Sequence, residues 1–498
     1  MTTDNKRASG ILLHPTSLPG RFGIGQLGDE CFKFIDFLHS SGQTLWQILP
    51  FHPTGFTNCP YSTISAFSGN PYLISYDILI NEGYLSEDDI PKYNDINPEK
   101  VDFGKVYETV YQTLKKAFNN FKNKCSKADS KEFEDFCKEA DYWLDDYTLF
   151  AALKNNFDGK PWFLWDNDIK FREKKAVQNN RKVLSDEIDF QKFLQFKFFQ
   201  QWKAVKKYAN DRGIKIISDI PLYIAHDSAD VWSHPEFFQM DETLNPITKA
   251  GVPPDYFSAT GQLWGNPLYD WEKLKNSDFE WWIERIKLNI ASSDILRFDH
   301  FRGFSAYWSV PWQEETAING RWEKAYGSEL FEKVRKLFGN ITMIAEDLGL
   351  ITDDVIKLRD DYGFLGMKIL QFAFDSNDKN DFLPHNYNKN SIVYTGALDN
   401  DTINGWYDNA NENDKNYFCE YSVSDGKNPS WDMIRSAWAS VSQYAVTTMQ
   451  DILSLDSNAR MNTPGTVFGN WEWRYKNGDL NEKHINMLKK ITDLYQRK

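Results

Sequence analysis

Eight short apolar runs, each closed by polar residues able to do chemistry, constrain this chain more than any other feature. They are GILLHP (10–15), TLWQILP (44–50), IKIISDIP (214–221), DILRFDHF (294–301), ITMIAEDLG (341–349), GMKILQF (366–372), SIVYTGALDND (391–401) and AVTTMQDI (445–452). Near-continuous apolar strands are what a parallel sheet buried on both faces requires. Helical patterns lie between them, over 29–41 before Gly42, 190–212 before Gly213, 328–338 before Gly339 and 352–362 before Gly363. A glycine after each helix supplies the left-handed cap that releases the chain into the next strand. This alternation predicts an α/β fold, a single (β/α)8 TIM barrel over residues 1–498, with its chemistry at the C-terminal ends of the strands.

Two stretches interrupt the alternation. Residues 51–187, after the second strand, are too long for a βα loop. Phe133, Phe136, Cys137, Ala140, Trp143, Leu144 and Tyr147 recur there at helical spacing, which predicts a mostly helical insertion. Residues 220–278, after the third strand, are rich in Pro, Gly, Tyr and Trp and read as a loop-rich insertion. Fewer than fifty residues follow the eighth strand, ending in a helix from Asn481, so no C-terminal β-sandwich domain is expected.

A net charge of −14 argues against nucleic acid and anionic membranes as partners. No apolar run approaches membrane-spanning length, and MTTDNKRASG has no signal-peptide core. Cys31, Cys59, Cys125, Cys137 and Cys419 are scattered without CxxC spacing, which predicts a reducing, cytoplasmic setting and no structural zinc. Aromatic residues make up 16% of the chain, including 18 Trp. A large core uses such residues, and so does a surface that stacks on the apolar faces of neutral sugars. GRFGIGQLG lacks the Lys-Ser/Thr of a phosphate loop. His14, His226 and His234 read as hydrogen-bonded loop histidines, and Cys59 beside Pro60 as a small buried group.

The carboxylates carry the chemistry. Arg297 and Asp299 are two apart on a strand and share a face, so the guanidinium should favour the ionised carboxylate and lower its pKa. In isolation an Arg-x-Asp pair is more often a barrel-lining ion pair. Glu346 ends the next strand among Met343, Ile344 and Ala345, with Asp347 beside it, surroundings that raise a carboxyl pKa. Two such groups on adjacent strand ends form the constellation of a retaining glycosidase, with carboxyls about 5–5.5 Å apart. Asp399 ends the seventh run and faces the same cavity, while Asp219, ending the third, reads as a support that orients Arg297 or the loops. Clustered acids also suit metals, but nothing resembles a calcium loop. No metal and no cofactor is predicted.

The set resembles the 4-α-glucanotransferases of the amylomaltase, or disproportionating-enzyme, type in the α-amylase clan. The blocks that carry the likeness are SGILLHPTSLPGRFGIGQLG, WQILPFHPTG, CPYSTISAFSGNPYLI, SDIPLYIAHDSADVW, GVPPDYFSATGQLWGNPLYDW, ILRFDHFRGF, AEDLG, PHNY, ARMNTPGT and NWEWR, between residue 9 and about 474. The resemblance implies a retaining transfer of α-1,4-glucan segments between maltooligosaccharides, by a monomer or homodimer. It implies Asp299 as nucleophile, Glu346 as acid/base and Asp399 as the carboxylate that stabilises the distorted transition state. It further implies that Tyr256, Phe257, Gln262 and Trp264 flank the acceptor, that Tyr61 stacks under the donor sugar, and that His300, Asp347 and Asn462 bond glucose units. The insertion 220–278 would then form part of the glucan cleft, and its aromatics would exclude water and so favour transfer.

One position departs from the family. Where the family usually reads His-Asp, this chain has Leu398-Asp399. Leucine can neither donate to nor accept from a sugar hydroxyl, a loss of ~1–3 kcal/mol, or roughly ten- to a hundredfold in rate. Two alternatives follow from the same residues: a mainly hydrolytic α-glucosidase or amylase-like enzyme, and a glucan-binding protein whose catalysis has decayed.

Overall fold

The computed structural model describes residues 6–92, 96–254 and 258–498. Twelve strands run β1 (Ala8–Leu12), β2 (Leu45–Gln47), β3 (Lys215–Ile220), β4 (Thr248–Val252), β5 (Gln262–Pro267), β6 (Ile295–Phe298), β7 (Ala306–Pro311), β8 (Arg321–Lys324), β9 (Met343–Ala345), β10 (Leu365–Ile369), β11 (Ser391–Tyr394) and β12 (Tyr444–Thr448). Eight of them close a parallel barrel in the order β1-β12-β11-β10-β9-β6-β3-β2. These eight are the apolar runs of the sequence, and the chain is a (β/α)8 TIM barrel. Each strand carries Ile, Val, Leu or Met into one of two buried clusters. The helices Asp29–Ser40, Ser185–Asp211, Gly327–Phe338 and Asp353–Asp361 match the helical patterns. Gly42, Gly213, Gly339 and Gly363 follow them at φ of 75°, 74°, 75° and 68°, the left-handed region that a Cβ disfavours.

Between β2 and β3 the chain forms, among others, the helices Phe103–Lys124, Lys127–Glu139 and Asp141–Asn156. The 27-residue helix Ser185–Asp211 ties this excursion to the barrel. Its buried Gln195 accepts from the Gly69 amide at 2.7 Å and donates to the Gly69 carbonyl at 3.0 Å. Nearly two helical turns further on, Gln201 accepts from the Ser75 amide at 2.7 Å. Side-chain amides thus replace the partners that a loop backbone lacks, and they fix the segment that leads out of β2 past Tyr61.

Two strands interrupt the segment 220–278, which the sequence presented as loops. β4 and β5 join β7 and β8 in an antiparallel sheet of order β5-β4-β7-β8. β4 pairs with β7 from Thr248↔Pro311 to Gly251↔Trp308. The partners lie on the far side of β6 in sequence, and β5 (QLWGNP) contains both Gly and Pro, so no local alternation announces the sheet.

Gly69 offers a direct check on the clamp. A Cβ there would lie 1.8 Å from Phe198 Cδ1, inside the helix that holds the loop. Gly69→Ala should cost about 1–3 kcal/mol, read as a lowered midpoint in chemical denaturation.

Candidate active site

The C-terminal ends of β3, β6 and β9 bring the acids together. Register pairs Asp219 with Arg297, and Phe298 with Ala345, so Asp299 and Glu346 each leave the barrel one residue beyond paired positions. The exit is stitched by backbone bonds: Asp299 N–H donates to Ile220 O at 3.0 Å, Glu346 N–H to Phe298 O at 3.0 Å, and Phe301 N–H to Glu346 O at 3.1 Å. His300 turns the chain at φ 49°, and its N–H donates to Glu346 Oε2 at 2.7 Å. The Leu348 N–H meets Glu346 Oε1 at 3.2 Å.

Arg297 is the hub. Its Nη1 lies 2.6 Å from both Asp219 oxygens and 3.1 Å from Asp299 Oδ1, while Nε donates to Met367 Sδ at 3.4 Å. The Tyr61 hydroxyl donates to Asp219 Oδ2 at 2.6 Å. Asp219 makes the closer contacts with Arg297 and takes the larger share of its charge. This changes the balance at Asp299: burial raises its carboxyl above the usual value, and Arg297 opposes without prevailing. The lowered pKa read from the Arg-x-Asp spacing is corrected on this point, because the spacing does not reveal how deeply the carboxyl is buried, and that burial outweighs the guanidinium. Burial lifts Asp219 to about 6, with Arg297 pulling against it.

Glu346 has no cation in contact. Burial lifts it to about 8, reinforced by the negative charge of Asp299 and opposed by Arg297 and the His300 amide. Two neighbouring carboxyls are thereby divided by environment: one touches a guanidinium and the other faces a carboxylate. Such a division assigns base-like and acid-like roles within a pair.

Asp399 stands five residues beyond β11. Asn462 Nδ2 donates to its Oδ1 at 2.5 Å, and Arg460 Nη2 donates to its carbonyl at 2.6 Å while Nε holds the Asn462 carbonyl at 2.8 Å. Partial desolvation raises the Asp399 carboxyl and the Asn462 hydrogen bond opposes it. Leu398 beside it is buried and lines a cavity of about 30 Å³ with Leu12, His14, Leu49, Asn400 and Met461.

The remaining predicted residues fall into three groups. Gln262, Trp264 and His300 gather at the open end of β5: Trp264 Nε1 donates to Gln262 Oε1 at 3.3 Å, and the Trp264 and His300 rings meet edge-on at 4.7 Å. Burial holds His300 neutral, near 4. Asp347 is placed otherwise than as an open sugar ligand. Its carboxylate binds Arg359 Nη1 at 2.6 Å and the Met367 amide at 2.7 Å, tying the exit of β9 to β10 and to the helix Asp353–Asp361. Tyr256 and Phe257 lie outside the described residues.

Reading the sequence missed Arg460, Met367 and Tyr223. Arg460 stands two residues before Asn462, in the ARMNTPGT block, and that proximity was the available signal. Tyr223 sits 6.1 Å from the Trp264 ring and 6.2 Å from His300. Arg302, which flanks Asp299 in sequence, turns away to Thr352 Oγ1 at 2.8 Å and stacks 4.0 Å over Trp322.

A TIM barrel with four carboxylates and one guanidinium beyond the ends of β3, β6, β9 and β11, beside a shelf of aromatic rings, has the character of a carbohydrate-active enzyme of the (β/α)8 class. Comparison with known proteins narrows this to one family. The 4-alpha-glucanotransferase family, glycoside hydrolase family 77, matches residues 13–481, and the chain belongs to it. A 4-alpha-glucanotransferase of Synechocystis is 50% identical over 498 residues, covering 99% of each chain. One of Thermus thermophilus is 45% identical, again over 99% of each. The solved amylomaltase of Streptococcus agalactiae, in complex with acarbose, superposes with a TM-score of 0.96 at 42% identity, covering 99% of this chain and 100% of that one. The family comprises retaining enzymes of the α-amylase clan, and the chain is a 4-alpha-glucanotransferase. Among the described residues no helix is long and apolar enough to cross a membrane.

The Glu346 environment has a thermodynamic signature. The folded protein holds a proton to about 8 that the unfolded chain releases at the ordinary 4.5, so stability falls as pH rises across that window. Glu346→Gln removes this loss. By scanning calorimetry its melting temperature should gain on the parent between about pH 5 and about pH 8; a gap that narrows with rising pH contradicts the assignment.

Proposed function

We propose that the reaction is a double displacement on Asp299. The α-1,4 bond of a maltodextrin donor breaks as Asp299 attacks the anomeric carbon and Glu346 gives its proton to the leaving 4-oxygen. The departing chain leaves with a new 4-hydroxyl. Glu346, now ionised, takes the proton from the 4-hydroxyl of an acceptor glucan, whose oxygen displaces Asp299 and restores the α configuration. The division of the two carboxyls carries this reading. Arg297 sits on Asp299 at 3.1 Å, whereas Glu346 is pushed to about 8 and is available as an acid at neutral pH.

Asp399 stabilises the positive charge that develops on the sugar, and Asn462 and Arg460 hold it at the cleft. Tyr61 presents its ring to the donor sugar while its hydroxyl steadies Asp219. Gln262, Trp264 and His300 line the acceptor side and keep water out, so the glycosyl-enzyme passes to a sugar hydroxyl in preference to water. Maltooligosaccharides are donor and acceptor. Five free cysteines support a cytoplasmic setting.

Maltotriose tests the reading. The enzyme should yield glucose together with a ladder of longer oligomers, separated by chromatography; shorter sugars alone would show a hydrolase. Asp299→Asn should abolish the ladder while leaving maltooligosaccharide binding intact, and retained turnover sinks the nucleophile. Leu398→His should raise the rate by roughly tenfold or more, because it adds one sugar hydrogen bond of ~1–3 kcal/mol in the transition state.

A further inference from the structure

A second aromatic groove lies apart from the carboxylates. It holds about 630 Å³ of open space and is built by Phe163, His226, Ile247 and Trp312, with Asp241, Asn245 and Gln313 at its edge. None of these residues belongs to the acidic cluster. Four separate segments converge to make it: Phe163 comes from the excursion between β2 and β3, His226 from the loop after β3, Ile247 from the approach to β4, and Trp312 from the exit of β7. The Phe163 and His226 rings lie parallel, 3° apart with centroids at 4.3 Å, and Trp312 stands edge-on to His226 at 5.5 Å. Trp312 is held by its N–H to the Ile247 carbonyl at 3.0 Å. Ile247 remains 53% exposed.

The chemistry suits a neutral sugar chain. Burial keeps His226 uncharged, near 4, so its ring behaves as one more flat face. Rings and an aliphatic side chain supply apolar surface, and Asp241, Asn245 and Gln313 supply acceptors and donors for hydroxyls. The open space lies within the ~300–1,000 Å³ of small-molecule sites. A short length of chain links the groove to the acceptor side. Tyr223, which packs against Trp264 and His300, precedes His226 by three residues, a reach of at most about 11 Å.

We propose that this groove is a second binding site for the α-1,4-glucan chain, engaged when a long substrate lies in the carboxylate cleft. The proposal rests on the glucan-transfer reading. Its consequence is selective for length: a polymer that reaches both places gains effective concentration at the second, and a trisaccharide gains nothing.

Native electrophoresis through gels containing soluble amylose, alongside maltotriose turnover, tests it on the full chain. Trp312→Ala and Ile247→Asp should each weaken retardation by amylose about five- to tenfold, with maltotriose rates within about twofold of the parent. Ile247 is exposed, so its variant keeps the test open should Trp312→Ala fold poorly. Unchanged retardation in a folded variant overturns the proposal. So does an equal loss of maltotriose turnover in folded Ile247→Asp, which would place the residue in the workings of the cleft. A parent that retards on amylose but forms no ladder would defeat the transfer reading and leave the groove to be judged by retardation alone.

Discussion

One buried cation organises this active site. Arg297 stands in the barrel wall between Asp219 and Asp299, with 2.6 Å contacts to the first and a 3.1 Å contact to the second. Its own charge is tolerable there because two carboxylates contact it, and removing one partner of such a set leaves an uncompensated charge. The register of β3 against β6 sets Asp219 opposite Arg297. Met367 on β10 takes its Nε, and Tyr61 brings the long excursion after β2 to the same point. The Tyr61 loop, the barrel wall and Asp299 are thus tied to one guanidinium.

The chemistry follows from how unequally that cation is shared. Asp299 touches it, and Glu346 does not. Glu346 instead meets the field of Asp299 and the apolar end of β9, and its proton is retained to about 8. An acid that keeps its proton at neutral pH costs the fold stability as the pH rises. The same burial that weakens the fold at Glu346 suits it to the acid role proposed for it. Asp399 is held by a different device, a hydrogen-bonded pair of side chains from the segment 460–462, which lets the third carboxylate face the cleft without a cation in contact.

Much of this was legible in the sequence. All eight barrel strands were marked by apolar runs ending in polar residues, because a strand buried on both faces has little choice of composition. Asp299, Glu346 and Asp399 were marked by position at those ends. What stayed hidden depends on residues that meet only after folding. Burial of Asp299 reverses the expected direction of its shift despite the Arg297 contact, and neither that burial nor the sharing of Arg297 with Asp219 is signalled by the local sequence. Asp347 reads as a cleft residue beside Glu346, yet adjacent positions on an extended chain point to opposite sides, and it clamps Arg359 instead. The β4–β5–β7–β8 sheet was hidden because its strands are separated by β6 and interrupted by Gly and Pro.

Mass mapping of a trapped intermediate tests the nucleophile most directly. Glu346→Gln cannot protonate a leaving oxygen, but a glucosyl fluoride donor needs no such proton, and the missing base slows the second step. After acid quenching and proteolysis, the peptide containing Asp299 should carry one glucosyl mass, with fragmentation placing it on that aspartate. No adduct under turnover of the fluoride, or an adduct on Asp219 or Asp399, would contradict the role given to Asp299.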